Sequence, residues 1–309
     1  MHKPKIFIDG KEGTTGLEIY ERLQDRNDIE LLLIDEALRK DTDERKRLMN
    51  LADLVFLCLP DEAAKEAIKL IDNTHTKVID ASTAHRTHPE WVYGFPELSV
   101  ENRLKIKKST RVANPGCHAT GFISIVYPLI QLGILSKNYP LNCFSITGYS
   151  GGGKSMIKNY KEDKTESMES ATLYKLDLNH KHIPEMMSVC DLEIKPLFVP
   201  ILDDFYRGMS SNIGLHSSEL FIPSSAKRIY QALKTYYQEA HFMNVVWMPE
   251  NQLLPTDFGQ KSNHLEITVS GNESQILVSA RFDNLGKGAS GAAVQNMNLM
   301  LGFDEKTGL

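Results

Sequence analysis

The sequence predicts an α/β protein with two domains, a doubly wound parallel sheet and an α+β domain with a mainly antiparallel sheet. For the first domain, a glycine-rich turn separates a β run from a helical pattern within residues 5–23, and continuous apolar runs follow at 53–59 and 77–80. Such runs, alternating with helices, are typical of parallel strands buried on both faces. For the second domain, the β runs at 265–269 and 276–282 alternate with period two, as strands of an antiparallel sheet do.

The length and the composition limit the class of protein. A chain of 309 residues is too long for one ordinary core and suits two domains. Hydrophobic residues make up 41% of the chain and charged residues 24%, as in globular proteins. The formal net charge of −5 is mild and spread along the chain, so neither nucleic acid nor a membrane is an expected partner.

No segment predicts membrane insertion or secretion. No apolar run approaches the roughly 20 residues of a membrane span, and the N-terminus enters a strand without a signal peptide. The cysteines at positions 58, 117, 143 and 190 are widely spaced and form no CxxC pair. We therefore expect a cytoplasmic protein with neither a disulfide framework nor a metal site.

The first β–α unit predicts a dinucleotide-binding loop. A β run at 5–9 is followed by glycines spaced GxxGxxG and then by a helical pattern. Glycines allow the tight turn and let a pyrophosphate approach the N-terminus of the helix. The usual spacing is GxGxxG, and a plain turn is the alternative interpretation. The candidate cofactor contacts are Gly10, Gly13, Thr14, Thr15 and Gly16.

The next strand leaves the type of nucleotide open. A buried β run at 30–35 ends in Asp35, about where an acid would bond the ribose 2′-hydroxyl of NAD. Arg39, Lys40 and Arg45 follow at once, and these bases could instead hold the 2′-phosphate of NADP. A solvated run of charges is the alternative.

A basic side chain, that of Arg86, follows the β run at 77–80. Ligands of a doubly wound sheet lie at the carboxyl ends of its strands, and the segment from Asp80 to Arg86 leaves one such end. Arg86 is therefore a candidate to hold a substrate phosphate through its two-pronged guanidinium, with a surface cation as the alternative.

A single thiol lies at the start of a predicted helix. Residues 114–121 read NPGCHATG, and the apolar stretch 122–133 predicts a helix that begins at about Cys117 or His118. The unpaired N–H groups and the dipole of a helix start favour a thiolate. Cys117 is the candidate nucleophile and Asn114 a candidate substrate contact. The alternative for Cys117 is a small buried hydrophobic residue.

A second phosphate-binding motif matches residues 148–155. Their sequence GYSGGGKS fits the P-loop pattern GxxxxGK[ST] and follows a predicted strand at 143–147. An NTPase would also need a later parallel strand ending in an acid that holds magnesium. The β runs after residue 155 are few and mostly alternate like antiparallel strands. We therefore interpret Ser150, Gly151 and Lys154 as contacts of a loop around a small anionic substrate.

Two histidines follow in the sequence HKHIPE. His180 and His182 are two residues apart, which places both imidazoles on the same side if the segment is extended. Acid–base chemistry beside a thiol is the functional interpretation, and ordinary surface or core histidines are the alternative. A metal would need a third ligand that the sequence does not identify.

The remaining patterns complete both domains. Residues 225–240 predict an amphipathic helix, and the hairpin of the second sheet follows it. This sheet could also supply a subunit interface. A helix at 294–301, reached through small residues from 283 to 293, should cross back and complete the first domain.

Four motifs in one order give the chain a family resemblance: the N-terminal glycine loop, NPGCHATG, HKHIPE and NLGKGASGAAVQNMN. With them, the chain resembles the shorter form of the N-acetyl-γ-glutamyl-phosphate reductases of arginine biosynthesis over nearly its whole length. The resemblance implies that NADPH reduces the acyl phosphate N-acetyl-L-glutamyl 5-phosphate to N-acetyl-L-glutamate 5-semialdehyde, with release of inorganic phosphate. It also implies a homo-oligomer, either a tetramer or a dimer.

The resemblance assigns roles to residues and domains. Cys117 falls on the family's nucleophile, which forms a thioester. His180 and His182 fall on the region of its acid–base residue, with His180 favoured for proton transfer and His182 for substrate contact. NADP(H) as the cofactor favours Arg39 and Lys40 as contacts of the 2′-phosphate. Asn284 and Gly286 are further predicted cofactor contacts, and Glu185 is a predicted substrate contact. The predicted NADP-binding domain is 1–116 plus 284–309, and the catalytic, substrate and oligomerisation domain is 117–283.

Three other functions stay open. An enzyme like aspartate-semialdehyde dehydrogenase, or a related reductase for a longer acyl phosphate, would differ only in its substrate pocket. A P-loop NTPase would be centred on Lys154. A nucleotide-sensing regulator would keep the fold without turnover, although the presence of Cys117 and both histidines argues against it.

Overall fold

The computed structural model describes residues 3–249 and 251–309 and divides the chain into two compact units. One unit is the chain up to Pro115 together with Ala289–Leu309, and the other is Gly116–Gly288. Residues 284–288, which we expected in the first domain, group with the second unit. The reason is local: the Gly288 N–H donates to the Asp283 carbonyl oxygen at 3.1 Å and ties this segment to the end of the last strand.

The strands and helices alternate through most of the chain. In chain order the strands are β1 (Lys5–Asp9), β2 (Glu30–Leu32), β3 (Leu54–Leu57), β4 (Lys77–Asp80), β5 (Val92–Tyr93), β6 (Arg111–Ala113), β7 (Asn142–Gly148), β8 (Thr172–Leu173), β9 (Leu197–Asp203), β10 (Met209–His216), β11 (Met243–Trp247), β12 (Leu265–Gly271) and β13 (Gln275–Phe282). The helices are α1 (Thr14–Leu23), α2 (Thr42–Leu51), α3 (Asp61–Ile68), α4 (Val100–Lys108), α5 (Cys117–Gln131), α6 (Gly153–Glu162), α7 (Ile183–Cys190), α8 (Ala226–Tyr236) and α9 (Gly291–Leu301).

The first unit holds a six-stranded parallel sheet in the order β2-β1-β3-β4-β6-β5. The strand order reverses between β1 and β3, the switch point at which doubly wound folds bind ligands. Helices cover both faces: Ile6 packs in one cluster with Val294 and Met297 of α9, whereas Phe7 packs in another with Leu48 of α2. The predicted Rossmann-type sheet and the return of the last helix are confirmed.

Two predicted elements are shorter than expected. Strand β2 ends at Leu32 because the Asp35 carboxylate accepts a hydrogen bond from the Ala37 N–H at 2.9 Å and caps a 3-10 turn. The amphipathic helix predicted at 225–240 is α8, which ends at Tyr236.

The second unit holds a seven-stranded sheet in the order β11-β12-β13-β10-β7-β9-β8. The pairs β7–β9 and β11–β12 are parallel, and the other four pairs are antiparallel. The predicted hairpin is β12–β13. The prediction of a mainly antiparallel sheet is therefore confirmed.

Helix α5 is the central helix of the second unit. Eleven of its fifteen residues are buried, which suits its largely apolar composition. It packs closely on β10, because a Cβ at Gly121 would lie 2.3 Å from Oγ of Ser211. Pro128 cannot donate to the Ser124 carbonyl oxygen one turn earlier, and the Tyr237 hydroxyl donates to that oxygen instead, at 2.8 Å. No helix in the described residues has the length and apolar character for crossing a bilayer.

Close packing closes the turn between β1 and α1. Gly10 has φ +84, and a Cβ there would lie 2.4 Å from the Cys58 carbonyl oxygen just after β3. A Cβ at Gly16 would lie 2.4 Å from the Gly10 carbonyl oxygen. Gly13 has more room, since a Cβ there would lie 3.4 Å from its nearest neighbour, the Gly10 carbonyl oxygen. Two of the three glycines are thus required by the packing of the turn.

We predict that Gly10→Ala destabilises the protein more than Gly302→Ala. Both glycines have positive φ, but a Cβ at Gly302 would meet no atom within 4 Å. The control therefore suffers only the left-handed strain of about 1–2 kcal/mol, whereas Gly10→Ala adds roughly 1–3 kcal/mol of overpacking against backbone. Urea unfolding gives both free energies. Equal losses in the two variants would show that the Cys58 contact has no effect.

Candidate active site

Helix α5 places Cys117 at its first residue, with Gly116 as the N-cap. The first turn of this fifteen-residue helix contains no acidic side chain. The half-buried residue Cys117 therefore lies at the positive end of a long helix, where a thiolate is stabilised. The start of the helix is confirmed where the sequence predicted it.

The other three cysteines differ from Cys117. Burial raises the pKa of the Cys58 and Cys190 thiols, and it raises the pKa of Cys143 to about 12. Cys143 and Cys190 are buried residues and behave as small hydrophobic side chains. Cys117 is thus the cysteine best placed to react.

The backbone around Cys117 is held by two contacts in the second unit. The Gly116 N–H donates to Oε2 of Glu185 in α7 at 3.1 Å. A Cβ at Gly288 would lie 2.9 Å from Cβ of Cys117, so this position has no room for a side chain. Glu185 is buried and holds the turn before the thiol, and its predicted substrate contact stays a prediction.

Three histidines cluster beside this helix start. The condition for placing His180 and His182 on one side, an extended segment, is not met: they lie in a turn, and His182 is the N-cap of α7. The turn nevertheless brings their rings together, with centroids 4.7 Å apart. The His118 ring joins them, with centroids 5.2 Å from His180 and 5.8 Å from His182. All three are buried.

A hydrogen bond sets the tautomer of His180. The His182 N–H donates to Nδ1 of His180 at 3.1 Å. Because Nδ1 accepts, the neutral ring carries its proton on Nε2. His180 can therefore present an N–H group from the opposite edge of its ring.

His118 is a residue of this cluster that the sequence analysis did not single out. Its Nδ1 lies 2.7 Å from Oγ of Ser145, and its Nε2 lies 3.0 Å from the hydroxyl of Tyr174. Burial, with smaller contributions from His180 and Lys181, lowers the pKa of His118 to about 3. The ring is therefore neutral at physiological pH. The only sequence signal for His118 was its position directly after Cys117.

The P-loop match lies on a strand with a parallel neighbour, which we had not expected. Strand β9 runs parallel to β7, and its last residue, Asp203, pairs with Gly148. The absence of such a strand was part of our reason for rejecting an NTPase, and that part was wrong.

The geometry of the loop gives a different reason against an NTPase. A P-loop points its backbone N–H groups at a phosphate. Here the Tyr149 N–H donates to the Phe205 carbonyl oxygen at 2.9 Å, and the Ser150 N–H donates to the Tyr206 carbonyl oxygen at 3.0 Å. These amides are engaged within the protein, while Lys154 is exposed on α6.

The predicted contacts Asn284 and Ser150 lie together in the second unit. Nδ2 of Asn284 donates to the Ser150 hydroxyl at 2.9 Å, and its Oδ1 accepts from the Gly208 N–H at 2.8 Å. A Cβ at Gly151 would lie 3.4 Å from the same amide. A Cβ at Gly286 would lie 2.2 Å from the Ser262 carbonyl oxygen, so this glycine is needed for packing.

Arg86 and Asn114 lie together in the first unit, after β4 and β6. Nε of Arg86 donates to the Asn114 carbonyl oxygen at 2.9 Å, and Nη2 donates to the Ala81 carbonyl oxygen at 3.1 Å. The Asn114 side chain donates to the Ala289 carbonyl oxygen at 2.9 Å and accepts from Asn296 at 3.2 Å. These bonds orient both residues, whose substrate contacts stay predictions.

The turn before α1 fits the pyrophosphate of a dinucleotide. The first turn of α1 contains Thr14, Thr15 and Gly16, has no acidic residue, and receives no side-chain cap. The Thr14 hydroxyl oxygen is buried without a hydrogen-bond partner among the described residues. A helix start with free amides and an unsatisfied hydroxyl is suited to phosphate oxygens.

The residues that we considered as contacts of the ribose 2′-hydroxyl or 2′-phosphate have different partners in the structure. Asp35 is exposed and caps its turn, as described above. Arg39 and Lys40 are exposed, and Arg39 lies 3.7 Å from Glu36. Arg45 instead binds Asp9 through two hydrogen bonds, at 2.7 and 3.2 Å, and is engaged at the end of β1. In the part of the chain that is described, no group of three or more His, Cys, Asp or Glu could hold a metal ion.

Two family models match the chain. Residues 117–284 match the semialdehyde dehydrogenase dimerisation domain, and residues 31–108 match the semialdehyde dehydrogenase NAD binding domain. The chain is 46% identical, over an alignment of 323 positions that covers all of both proteins, to N-acetyl-gamma-glutamyl-phosphate reductase 2 of Nostoc sp. strain PCC 7120. It is 44% identical to N-acetyl-gamma-glutamyl-phosphate reductase 2 of Pseudomonas putida, with 98% of each chain covered.

Solved structures share the fold at low sequence identity. Aspartate semialdehyde dehydrogenase II of Vibrio cholerae, complexed with ASA, superposes with a TM-score of 0.74 at 15% identity, over 97% of this chain and 99% of that chain. The aspartate semialdehyde dehydrogenase of Francisella tularensis gives a TM-score of 0.71 at 13% identity, over 95% and 99%. These structures support the two-domain fold.

We predict that His118→Gln flattens the fall of stability in acid. Because the folded-state pKa of His118 is lowered to about 3, the unfolded chain binds a proton between pH 6.5 and 3 that the folded protein does not. Stability linked to this group is present above pH 6.5 and is lost, by up to about 1.4 kcal/mol per pH unit, as the pH falls toward 3. Urea unfolding from pH 7 to 4.5 measures the slope. The exposed His216→Gln is the control, and parallel curves for wild type and His118→Gln would contradict the prediction.

Proposed function

Because the chain belongs to the N-acetyl-γ-glutamyl-phosphate reductase family, we propose that it converts N-acetyl-L-glutamyl 5-phosphate to N-acetyl-L-glutamate 5-semialdehyde and inorganic phosphate with NADPH. One observation carries the proposal: the half-buried Cys117 is the first residue of a buried helix, and the ring of His118, the next residue, clusters with those of His180 and His182. This arrangement suits acyl transfer through a thioester.

The chain's own residues fit NADP(H). Gly10, Gly13, Thr14, Thr15 and Gly16 would hold the pyrophosphate, and Arg39 with Lys40 would hold the 2′-phosphate. When bound, NADPH supplies the hydride that reduces the thioester carbon. Asn284 and Gly286 are proposed to shape the segment near the nicotinamide.

The thiolate of Cys117 attacks the acyl carbon of the substrate. The new C–S bond forms as the C–O bond to phosphate breaks, so the products of this step are a thioester and inorganic phosphate. A thioester accepts hydride more readily than a carboxylate, which is why covalent catalysis lowers the barrier. The amides at the start of α5 would stabilise the oxyanion of each tetrahedral adduct.

The histidine pair serves the proton steps in this proposal. After reduction, the adduct on Cys117 is a thiohemiacetal. In this proposal His180, with its proton on Nε2, would donate that proton to the substrate oxygen and take it back as the C–S bond breaks, which releases the aldehyde and restores the thiolate. His182 would contact the substrate. Arg86, Asn114, Ser150, Gly151, Lys154 and Glu185 are proposed as substrate contacts.

The identity of the relatives favours this substrate over aspartyl phosphate. Relatives with 44–46% identity over essentially the whole chain carry the N-acetylglutamyl-phosphate reductase name. The aspartate semialdehyde dehydrogenases share the fold at only 13–15% identity, and such a likeness says nothing about substrate. An NTPase centred on Lys154 is disfavoured by the engaged amides of its loop.

We further propose a homo-oligomer, either a dimer or a tetramer, in the cytoplasm. One face of the mixed sheet exposes large apolar side chains of three strands, Phe144, Leu197 and Leu277. The strand pairing puts them on the same face, and the matching family model is that of a dimerisation domain. A catalytic thiol must stay reduced, which suits a reducing compartment.

We predict that Cys117→Ser lowers phosphate-dependent oxidation of N-acetylglutamate semialdehyde by several orders of magnitude. A serine hydroxyl stays protonated where the thiolate would form, so attack on the acyl carbon is lost while the nucleotide loop is unchanged. Steady-state assays give kcat/KM, and fluorescence titration gives NADPH affinity, which we expect to be retained.

The same assay separates the rival functions. Wild type should turn over N-acetylglutamate semialdehyde with a higher kcat/KM than aspartate semialdehyde. Turnover of Cys117→Ser near the wild-type rate would refute the mechanism. ATP hydrolysis that disappears in Lys154→Ala would instead support the NTPase.

We predict that Arg39→Ala lowers kcat/KM for NADPH but not for NADH. The guanidinium would pair with the 2′-phosphate, which NADH lacks. The ratio of kcat/KM for NADPH to that for NADH should therefore fall about tenfold, which corresponds to the loss of a charged hydrogen bond of about 1.5 kcal/mol. Arg47→Ala changes an arginine that is paired with Glu44 on α2 and serves as the control. An unchanged ratio of the two kcat/KM values would remove Arg39 from the cofactor site.

A further inference from the structure

A buried carboxylate organises the turn that follows β4 in the first unit. Asp80 is the last residue of β4 and is fully buried. Its Oδ1 accepts from the Ser82 N–H at 2.9 Å. Its Oδ2 accepts from the Ser82 hydroxyl at 2.7 Å and lies 2.6 Å from Nδ1 of His85. Because a buried carboxylate is costly unless it is hydrogen-bonded, these contacts favour one conformation of residues 80–85.

His85 is held from two sides. An ionised carboxylate only accepts hydrogen bonds, so Nδ1 of His85 carries the proton of the bond to Asp80. The imidazole also stacks on the indole of Trp91, with centroids 4.1 Å apart and an angle of 13° between the rings. His85 is therefore fixed in place directly before Arg86 in the chain.

The backbone N–H groups of residues 81–84 are all engaged within the first unit. They donate, in chain order, to the Leu57 carbonyl oxygen at 2.9 Å, to Oδ1 of Asp80 at 2.9 Å, to Oδ1 of Asp61 at 2.9 Å and to the Ser82 hydroxyl at 3.1 Å. Turns that bind a phosphate through the backbone present such groups to the ligand. A phosphate at this turn would therefore be held by the side chain of Arg86.

The guanidinium of Arg86 closes the same turn. Its Nη2 donates to the Ala81 carbonyl oxygen at 3.1 Å, and its Nε donates to the Asn114 carbonyl oxygen at 2.9 Å. The Asn114 N–H donates in turn to the Asp80 carbonyl oxygen at 2.8 Å. The orientation of the guanidinium thus depends on the conformation of residues 80–85, which Asp80 and His85 set.

An orientation that is fixed in advance favours the binding of phosphate. An arginine side chain has a large rotamer entropy to lose, and a guanidinium binds two phosphate oxygens only when its plane is correctly set. A side chain that is already oriented loses less entropy when the ligand binds. Loosening the turn would therefore weaken phosphate binding without removing any direct contact to the phosphate.

We propose that Asp80 and His85 are positioning residues that orient Arg86 toward the phosphate group of the substrate, and toward inorganic phosphate in the oxidation direction. The proposal deepens the function proposed above and rests on Arg86 as a phosphate contact. In it, Asp80 and His85 act through Arg86 and neither touches the substrate.

The test is the KM for inorganic phosphate in the oxidation of N-acetylglutamate semialdehyde. His85→Leu removes the N–H group that Asp80 accepts, so we expect this KM to rise about three- to tenfold. The KM for the semialdehyde and the affinity for NADPH should stay near those of wild type. His75→Leu, which changes an exposed histidine just before β4, is the matched control and should alter none of these quantities.

A conservative variant isolates the hydrogen bond. His85→Asn places an amide N–H near the position of Nδ1, where it can donate to Asp80, and its KM for phosphate should stay near that of wild type. An equal rise in His85→Asn and His85→Leu would overturn the role of this bond. If His85→Leu does not fold, His85→Gln makes the same comparison, because its amide lies one carbon farther from the backbone.

Arg86→Ala separates this inference from the proposed function. We expect it to raise the KM for phosphate about ten- to a hundredfold. Such a rise, together with a lower melting temperature but a wild-type KM for phosphate in His85→Leu, would show that His85 only stabilises the fold. The positioning role would then be wrong and the proposed function would stand. A wild-type protein without phosphate-dependent turnover would refute the proposed function itself, and this inference with it.

Discussion

The structure of the second unit depends on the burial of helix α5. Its apolar residues fill the space against the mixed sheet, and a close contact between Gly121 and Ser211 sets its distance from β10. A helix held this firmly has a fixed N-terminus, and its dipole then acts on a fixed point. Cys117 lies at that point. The position of the Cys117 thiol at the end of this dipole is therefore set by core packing many residues away from it.

The same burial creates a need for polar partners. Pro128 interrupts the hydrogen bonds of α5, and Tyr237 satisfies the carbonyl that it leaves open. Ser145 and Ser211 lie beneath the helix with no access to solvent, and they satisfy each other and His118. A buried hydroxyl without a partner would cost about 1–3 kcal/mol. The network thus satisfies the polar side chains that are buried beneath the helix that begins at Cys117.

Much of this architecture could be predicted from the sequence. Continuous apolar runs predicted the parallel sheet, period-two runs predicted the β12–β13 hairpin, and the glycine turn predicted the start of α1. The family resemblance is confirmed by full-length relatives. These signals are local or depend on motifs that keep their order, so one chain is enough to find them.

Other features depend on pairing between distant segments, and the sequence did not reveal them. Strand β9 is parallel to β7, whereas most β runs after residue 155 had suggested antiparallel strands. His180 and His182 lie in a turn that leads into α7, whose first turn contains Pro184, and not in the extended segment that we considered. Arg45 is bound to Asp9, a partner that lies 36 positions away in the sequence.

His118 is the clearest case of a site residue hidden from sequence reasoning. Next to a candidate nucleophile it reads as part of a helix, and nothing local links it to Ser145, Ser211 or Tyr174. The cross-strand pairing of the two serines creates the link. Among the described residues, Ser145 is the partner of the Ser211 hydroxyl, and Ser145 in turn bonds to His118. A sheet register that is fixed by packing thus determines which polar groups surround the histidine next to Cys117.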